Sequence, residues 1–165
     1  MTVGAQRATL SPDPDLETGA VAVLAVLTGD EVYGFPLSSV REILMPPPLT
    51  EVPRAPAHFL GVIAVRGQII TLVDLPRLLN LAGAEGQPPG RVLLVDDGEE
   101  LIGVAVDRVV QVYALQPDQI EYASAMNPDV SEHVVGVARV SLNSSTDTEE
   151  MLILLDPGAL LGGLK

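Results

Sequence analysis

The sequence predicts an all-β fold of two small barrels with a few short helices. Of its 165 residues, 47% are hydrophobic, but only 3% are aromatic and none is Trp. The core must therefore consist of Val, Ile, Leu and Ala, and the β-branched members of this group favour strands. Short apolar runs separated by Gly, Asp and Pro, together with an internal repeat, support the same fold class.

Eight apolar runs have the length of β-strands. Several are apolar at successive positions, which is typical of strands buried on both faces of a barrel or sandwich. The predicted strands are Val21–Leu27, Val32–Leu37, Gly61–Val65, Ile69–Val73, Val92–Val95, Leu101–Val106, Val134–Val140 and Met151–Leu155.

Three further segments predict short helices. Ser39–Leu44 begins with the serine and glutamate of a capping box, and its apolar residues are spaced three and four apart. Leu75–Ala82 follows Asp74 and carries a proline in its first turn. A last helix is expected at Pro157, directly after Asp156.

The chain also contains an internal repeat, which constrains its whole architecture. Hairpins draw on few residue types, so chance similarity is the alternative, but the matches keep their order along the chain. The matching pairs are Gly29–Ile43 with Gly98–Val112, Gly61–Val65 with Gly136–Val140, and Ile69–Leu79 with Met151–Leu161. We therefore expect a solvated tail over residues 1–18 and one domain of two pseudo-equivalent barrels over residues 19–165, with barrel closure protecting the strand edges.

Composition excludes several classes of function. A formal charge of -13 repels nucleic acid and anionic lipid surfaces. The absence of Cys rules out disulfides, Cys-ligated zinc and thiol catalysis. No apolar run approaches the roughly 20 residues of a membrane helix, and the first residues lack a signal-peptide core. We expect a cytoplasmic protein without membrane insertion.

No motif indicates catalysis, a metal or a cofactor. The two histidines, His58 and His133, have no second histidine at ligand spacing, and adjacent acidic residues lie where hairpin turns are expected. The segment Pro46–Pro56 has the PxxP spacing of an SH3 ligand, but it lies between predicted elements, which favours a rigid connector. An enzyme would need an acid displaced from the turns into a cleft.

Arg66 and Gly67 form a tight turn between two apolar strands. The matching turn of the second half, Ser141–Glu150, is long, polar and free of Arg. Arg66 is either a turn residue that points to water or a recognition residue. The second interpretation rests on the difference between the two halves, which folding alone does not require.

The chain resembles the CheW family from Val21 to Leu161. The diagnostic stretch is Val52–Leu75, with its proline, Gly-Val, Arg-Gly, apolar strand and Asp-Leu pattern. The flanking motifs that follow the family's order are Gly29–Gly34 with Val40–Ile43, and Gly103–Asp107 with Val109 and Val112. The resemblance implies two intertwined five-stranded SH3-like barrels.

The resemblance also implies a function without catalysis. In this family the groove between the barrels receives the tip of a chemoreceptor's helical hairpin, and the first barrel pairs with the regulatory domain of the histidine kinase CheA. The protein is thus expected to be an adaptor in a signalling array that controls motility. The receptor-binding residues that the resemblance implies are Val40, Glu42, Ile43, Arg66, Gly67, Val109 and Val112.

Two departures from the family's pattern leave an alternative open. Thr71 stands where the family commonly has Pro, and the loop Ser141–Glu150 is unusually long. A specialised member could bind receptor or another partner without recruiting the kinase, for instance in a pilus or gliding pathway.

Overall fold

The computed structural model describes residues 20–79, 89–123, 133–141 and 149–162. The predicted tail 1–18, Ala82 and most of the loop Ser141–Glu150 lie outside these residues. The strands are β1 Val21–Thr28, β2 Glu31–Pro36, β3 Val40–Leu44, β4 Phe59–Val65, β5 Gln68–Asp74, β6 Arg91–Asp96, β7 Leu101–Val106, β8 Arg108–Leu115, β9 Ile120–Tyr122, β10 Val134–Ser141 and β11 Glu149–Leu155. The helices are α1 Leu75–Leu78 and α2 Pro157–Gly162.

The strands form two mixed sheets. A six-stranded sheet has the order β8-β1-β2-β11-β10-β9, and a five-stranded sheet has the order β3-β6-β7-β5-β4. We call them the six-stranded and the five-stranded barrel. Because β1 and β2 join the later strands, the two barrels are intertwined, and the predicted fold class is confirmed. The sixth strand, β9, is only three residues long.

The strand order repeats between the two sheets. The first five strands of the six-stranded sheet match the five-stranded sheet position by position: β8 matches β3, β1 matches β6, β2 matches β7, β11 matches β5 and β10 matches β4. Each sheet has one parallel pair at the same position, β2 with β11 and β7 with β5. The backbone N–H of Asp74 donates to the carbonyl of His58 at 2.8 Å, and that of Asp156 donates to His133 at 2.9 Å. The topology thus follows the repeat in the sequence.

Three apolar clusters hold the fold together. The shared core lies between the sheets and includes Leu24, Phe35, Leu93, Val104 and Leu161. The opposite face of each sheet covers its own cluster: Val23 and Leu152 belong to the six-stranded core, and Leu72 and Leu94 to the five-stranded core. Central strands are therefore buried on both faces, which explains their continuous apolar runs.

The predicted helix over Ser39–Leu44 is wrong. The chain instead makes a single 3₁₀ turn, Leu37–Ser39, and continues as β3. The Ser39 hydroxyl donates to the carbonyl of Pro36 at 2.7 Å, so it does not cap a helix. Pairing with β6 overrides the local signal, because it completes a backbone ladder and buries Val40.

A bulge explains why β3 has helix-like spacing. The register of β3 against β6 shifts between Val40 and Glu42, so the extra residue turns the following side chains to the other face. The register of β8 against β1 shifts at the matching place, leaving Val110 as the extra residue. Residues three apart in these strands therefore share one face.

The other predicted elements are present, but α1 ends at Leu78, Leu79 lies in a turn, and the rest of the predicted span Leu75–Ala82 falls outside the described residues. All eight predicted strands are present, and both remaining helices begin at the expected residues. The Asp74 carboxylate accepts a long hydrogen bond of 3.4 Å from the N–H of Arg77, and Asp156 accepts one of 3.0 Å from Gly158. Strands β3, β8 and β9 were not predicted.

Candidate binding site

Ile43 and Val112 occupy matching positions on the edge strands of the two sheets. Ile43 lies opposite Leu93 and Val112 lies opposite Leu24, and both of these partners belong to the shared core. The exposed fractions of Ile43 and Val112 are 36% and 46%. Ile43 and Val112 therefore lie where the apolar face of each sheet meets solvent, and we call this edge the margin of the shared core.

Val40 and Val109 lie on the same faces but deeper. Val40 is only 3% exposed and belongs to the shared core, and Val109 is half-buried against it. Val40 therefore lies in the core beneath the exposed margin, and its contact with a partner stays a prediction.

Arg66 forms a two-pronged ion pair with Glu42. Its Nη1 donates to Glu42 Oε1 at 2.6 Å, and its Nη2 donates to Oε2. Both side chains are partly open to solvent, with exposed fractions of 71% for Arg66 and 31% for Glu42. The hydrogen bonds from Arg66 hold the pKa of the Glu42 carboxyl below its usual value.

The turn that carries Arg66 has an unusual backbone. Val65 pairs with Gln68, and the two residues between them have φ angles of 50° at Arg66 and 82° at Gly67. Positive φ at both central residues is the mark of a type I′ hairpin, which favours Gly and Asn. An arginine here costs about 1 kcal/mol, so the turn chemistry alone does not explain it.

The ion pair also closes the five-stranded barrel. Glu42 lies on β3, at one edge of the sheet, and Arg66 lies in the turn between β5 and the opposite edge strand β4. The pair therefore joins the two ends of the sheet. It also fixes the residue that directly precedes Ile43.

Several exposed apolar residues near this region were not predicted as site residues. They are Met45, Leu49, Val52 and Ile69, with exposed fractions from 39% to 68%. The first three lie in the connection between β3 and β4, and Ile69 lies just after the Arg66 turn. The proline-rich composition of the connection gave no sign of this exposure.

A family model for the CheW-like domain matches residues 22–165. The chain belongs to the CheW-like domain family. Relatives include protein FrzA of Myxococcus xanthus, 30% identical over 133 residues that cover 81% of this chain and 80% of FrzA. The chemotaxis protein CheW of Klebsiella aerogenes is 28% identical over 146 residues, which cover 88% of this chain and 84% of the relative.

A solved structure shares the fold of this CheW-like domain. The scaffolding protein TtCheW of Thermoanaerobacter tengcongensis superimposes with a TM-score of 0.70 at 22% sequence identity. The match covers 82% of this chain and 88% of that one. The two-barrel architecture is therefore the family fold.

The two most buried carboxylates in the described part of this CheW-like domain are bound to backbone groups. Asp74, 6% exposed, caps α1 and lies 3.6 Å from the Arg77 guanidinium. Burial raises the pKa of Asp74, although Arg77 opposes this effect and Asp107 adds to it. Asp97, 9% exposed, accepts from the N–H groups of Glu99 and Glu100 at 2.8 and 2.9 Å.

Within the described ranges, no group of three or more His, Asp or Glu side chains could hold a metal ion. No described helix is long and apolar enough to cross a membrane. An open cleft of about 400 Å³ lies across β9, β10 and β11, and none of the predicted site residues lines it.

Proposed function

We propose that this CheW-like domain is a non-catalytic adaptor that couples the helical hairpin tip of a chemoreceptor to a CheA-type histidine kinase. The observation that carries the proposal is the placement of Ile43 and Val112. Both are exposed at the margin of the shared core, on matching edge strands of the two barrels. The similarity to proteins named chemotaxis protein CheW supports the same function.

The margin of the shared core suits an amphipathic helical partner. Ile43 and Val112 offer apolar contact, and the Arg66–Glu42 pair next to Ile43 offers charge at the rim. A hairpin of two helices could place one helix against each edge strand. A single contact of this size has low affinity, and binding becomes tight through avidity when many copies are held together in an array.

We assign the kinase contact to the five-stranded barrel. The exposed side chains Met45, Leu49 and Val52 give this barrel the apolar surface on which a protein interface can form. We place the protein in the cytoplasm, where the receptor tip and the kinase are found, and we treat residues 19–165 as one functional domain.

A reconstitution experiment tests this proposal. The purified protein is mixed with a receptor signalling fragment and the kinase, and kinase incorporation and autophosphorylation are measured. Activation of the kinase in a ternary complex is expected. Receptor binding without kinase recruitment would contradict the coupling function and support the specialised alternative, which binds receptor alone.

A further inference from the structure

The six-stranded barrel is closed by a neutral hydrogen bond. The hydroxyl of Tyr113 on β8 donates to the carbonyl oxygen of Ser141 at the end of β10, at 2.8 Å. Strands β8 and β10 are not neighbours, because β1, β2 and β11 lie between them in the sheet. The bond therefore joins two parts of the sheet that backbone pairing leaves separate.

This bond joins the same parts of its sheet as the Arg66–Glu42 pair does in the other barrel. In the sequence repeat, Ser141 follows Val140 as Arg66 follows Val65. Tyr113 directly follows Val112, whereas Glu42 directly precedes Ile43. The two barrels thus close between matching strands, at edge-strand positions two residues apart in the repeat, one through an exposed ion pair and the other through a hydroxyl.

Tyr113 is well placed to act on the edge strand. Its ring packs against the six-stranded core, opposite Val23 on β1. The phenol hydroxyl keeps its proton and remains a donor at neutral pH, and burial raises its pKa further. Strand β8 pairs with β1 on one side only, so the hydrogen bond to Ser141 gives this edge an additional attachment.

We propose that the Tyr113–Ser141 hydrogen bond fixes the β8 edge and so positions Val112 for partner binding. Tyr113 is a positioning residue, since it acts through its neighbour. The inference rests on the proposed receptor-binding function, because Val112 is the contact that Tyr113 would hold in place.

The test compares Tyr113→Phe with the wild-type full chain and with Tyr122→Phe. Tyr122 lies exposed on the short strand β9, and within the described residues its hydroxyl makes no hydrogen bond, so Tyr122→Phe is a matched control. In Tyr113→Phe, amide exchange in β8 should become faster while exchange in β3 is unchanged. Binding of a receptor signalling fragment should weaken about fivefold, the effect of one neutral hydrogen bond.

A double-mutant cycle with Val112→Ala separates positioning from plain stability. If Tyr113 acts through Val112, the double variant binds no more weakly than Val112→Ala alone. Additive losses would overturn the inference, as would unchanged β8 exchange, or a lower melting temperature with unchanged affinity. Failure of the wild-type protein to bind the receptor fragment would instead overturn the proposed function. The amide-exchange rates of β8 would still show whether the Tyr113–Ser141 hydrogen bond holds this edge strand.

Discussion

The carboxylate of Glu42 accepts two hydrogen bonds from the guanidinium of Arg66, and this pair joins the opposite ends of the five-stranded sheet. Exposed ion pairs contribute about 0 to 1 kcal/mol to stability, and the Arg66 side chain is 71% exposed. The positive φ angle of Arg66 costs a similar amount. The pair therefore adds little net stability.

Replacing Arg66 by Ala should weaken receptor binding and kinase coupling while the melting temperature stays near the wild-type value. Arg66→Gly should lose the same binding and be slightly more stable, because glycine accepts a positive φ without strain. Arg91→Ala is the control, since the Arg91 guanidinium donates to the adjacent carbonyl of Gly90. Equal losses of stability and binding in Arg66→Ala would show that Arg66 is structural.

The Arg66–Glu42 pair should break only at a pH below the ordinary pKa of a glutamate. Because hydrogen bonds from Arg66 lower the pKa of Glu42 in the folded protein, its stabilisation is fully present above the ordinary glutamate pKa. It is lost as the pH falls through the lowered folded value. An NMR titration of the Glu42 carboxyl checks this, and in Arg66→Ala the pKa should return toward normal. An identical titration in both proteins would contradict the assignment.

The fold was predictable because its signals are local. Alternating or continuous apolar runs and turn residues mark eight strands, and the repeat sets the order of the two sheets. Strand β3 was mistaken for a helix because a bulge puts Val40 and Ile43, three residues apart, on one face. A bulge exists only in relation to the partner strand, which single-sequence patterns do not contain.

For the candidate site, the sequence indicated a set of residues but not the contacts between them. The family resemblance pointed to Glu42, Ile43 and Arg66, but the ion pair spans 24 positions along the chain. Tyr113 was missed because its hydrogen-bond partner is a backbone carbonyl, and any residue at position 141 could supply one. Val40 is buried and Ile43 is partly exposed. This difference depends on how the two sheets pack, which the sequence pattern does not show.

Asp74→Asn should change how stability depends on pH. Burial raises the pKa of Asp74, so the folded state binds this proton more readily than the unfolded state. The wild type should therefore lose stability relative to Asp74→Asn as the pH rises from below about 3.9 through the folded pKa. Urea unfolding across this range measures the difference.

The Asn side chain keeps an oxygen that can accept from the N–H of Arg77. Asp74→Ala is the matched control, because it also lacks the titrating carboxyl but removes the cap, so it should be about 1 kcal/mol less stable than Asp74→Asn at every pH. A wild type that instead gained stability relative to Asp74→Asn as the pH rises would mean that attraction to Arg77 outweighs the cost of burial.

Gly61 should tolerate no side chain. A Cβ there would lie 2.2 Å from the carbonyl oxygen of Thr50, and its φ angle is 147°. Gly61→Ala should cost more than about 2 kcal/mol, because the clash is with backbone that pairs with Val62. Gly67→Ala is the comparison: its φ is also positive, but a Cβ meets open space, so about 1 kcal/mol is expected. Equal costs in chemical denaturation would contradict the role of the clash.

Polar substitutions should separate the exposed margin from its buried support. Ile43→Ser and Val112→Ser each remove a partly exposed side chain, so they should weaken receptor binding severalfold with small changes in unfolding free energy. Val40→Ala removes methyl groups from the shared core and should cost about 1 to 3 kcal/mol. Its binding, measured where the protein is folded, should change less than that of the serine variants. If Val40→Ala instead lost more affinity than Ile43→Ser and Val112→Ser, the contact surface would lie elsewhere, because a buried residue would be acting through a wider rearrangement of the sheets.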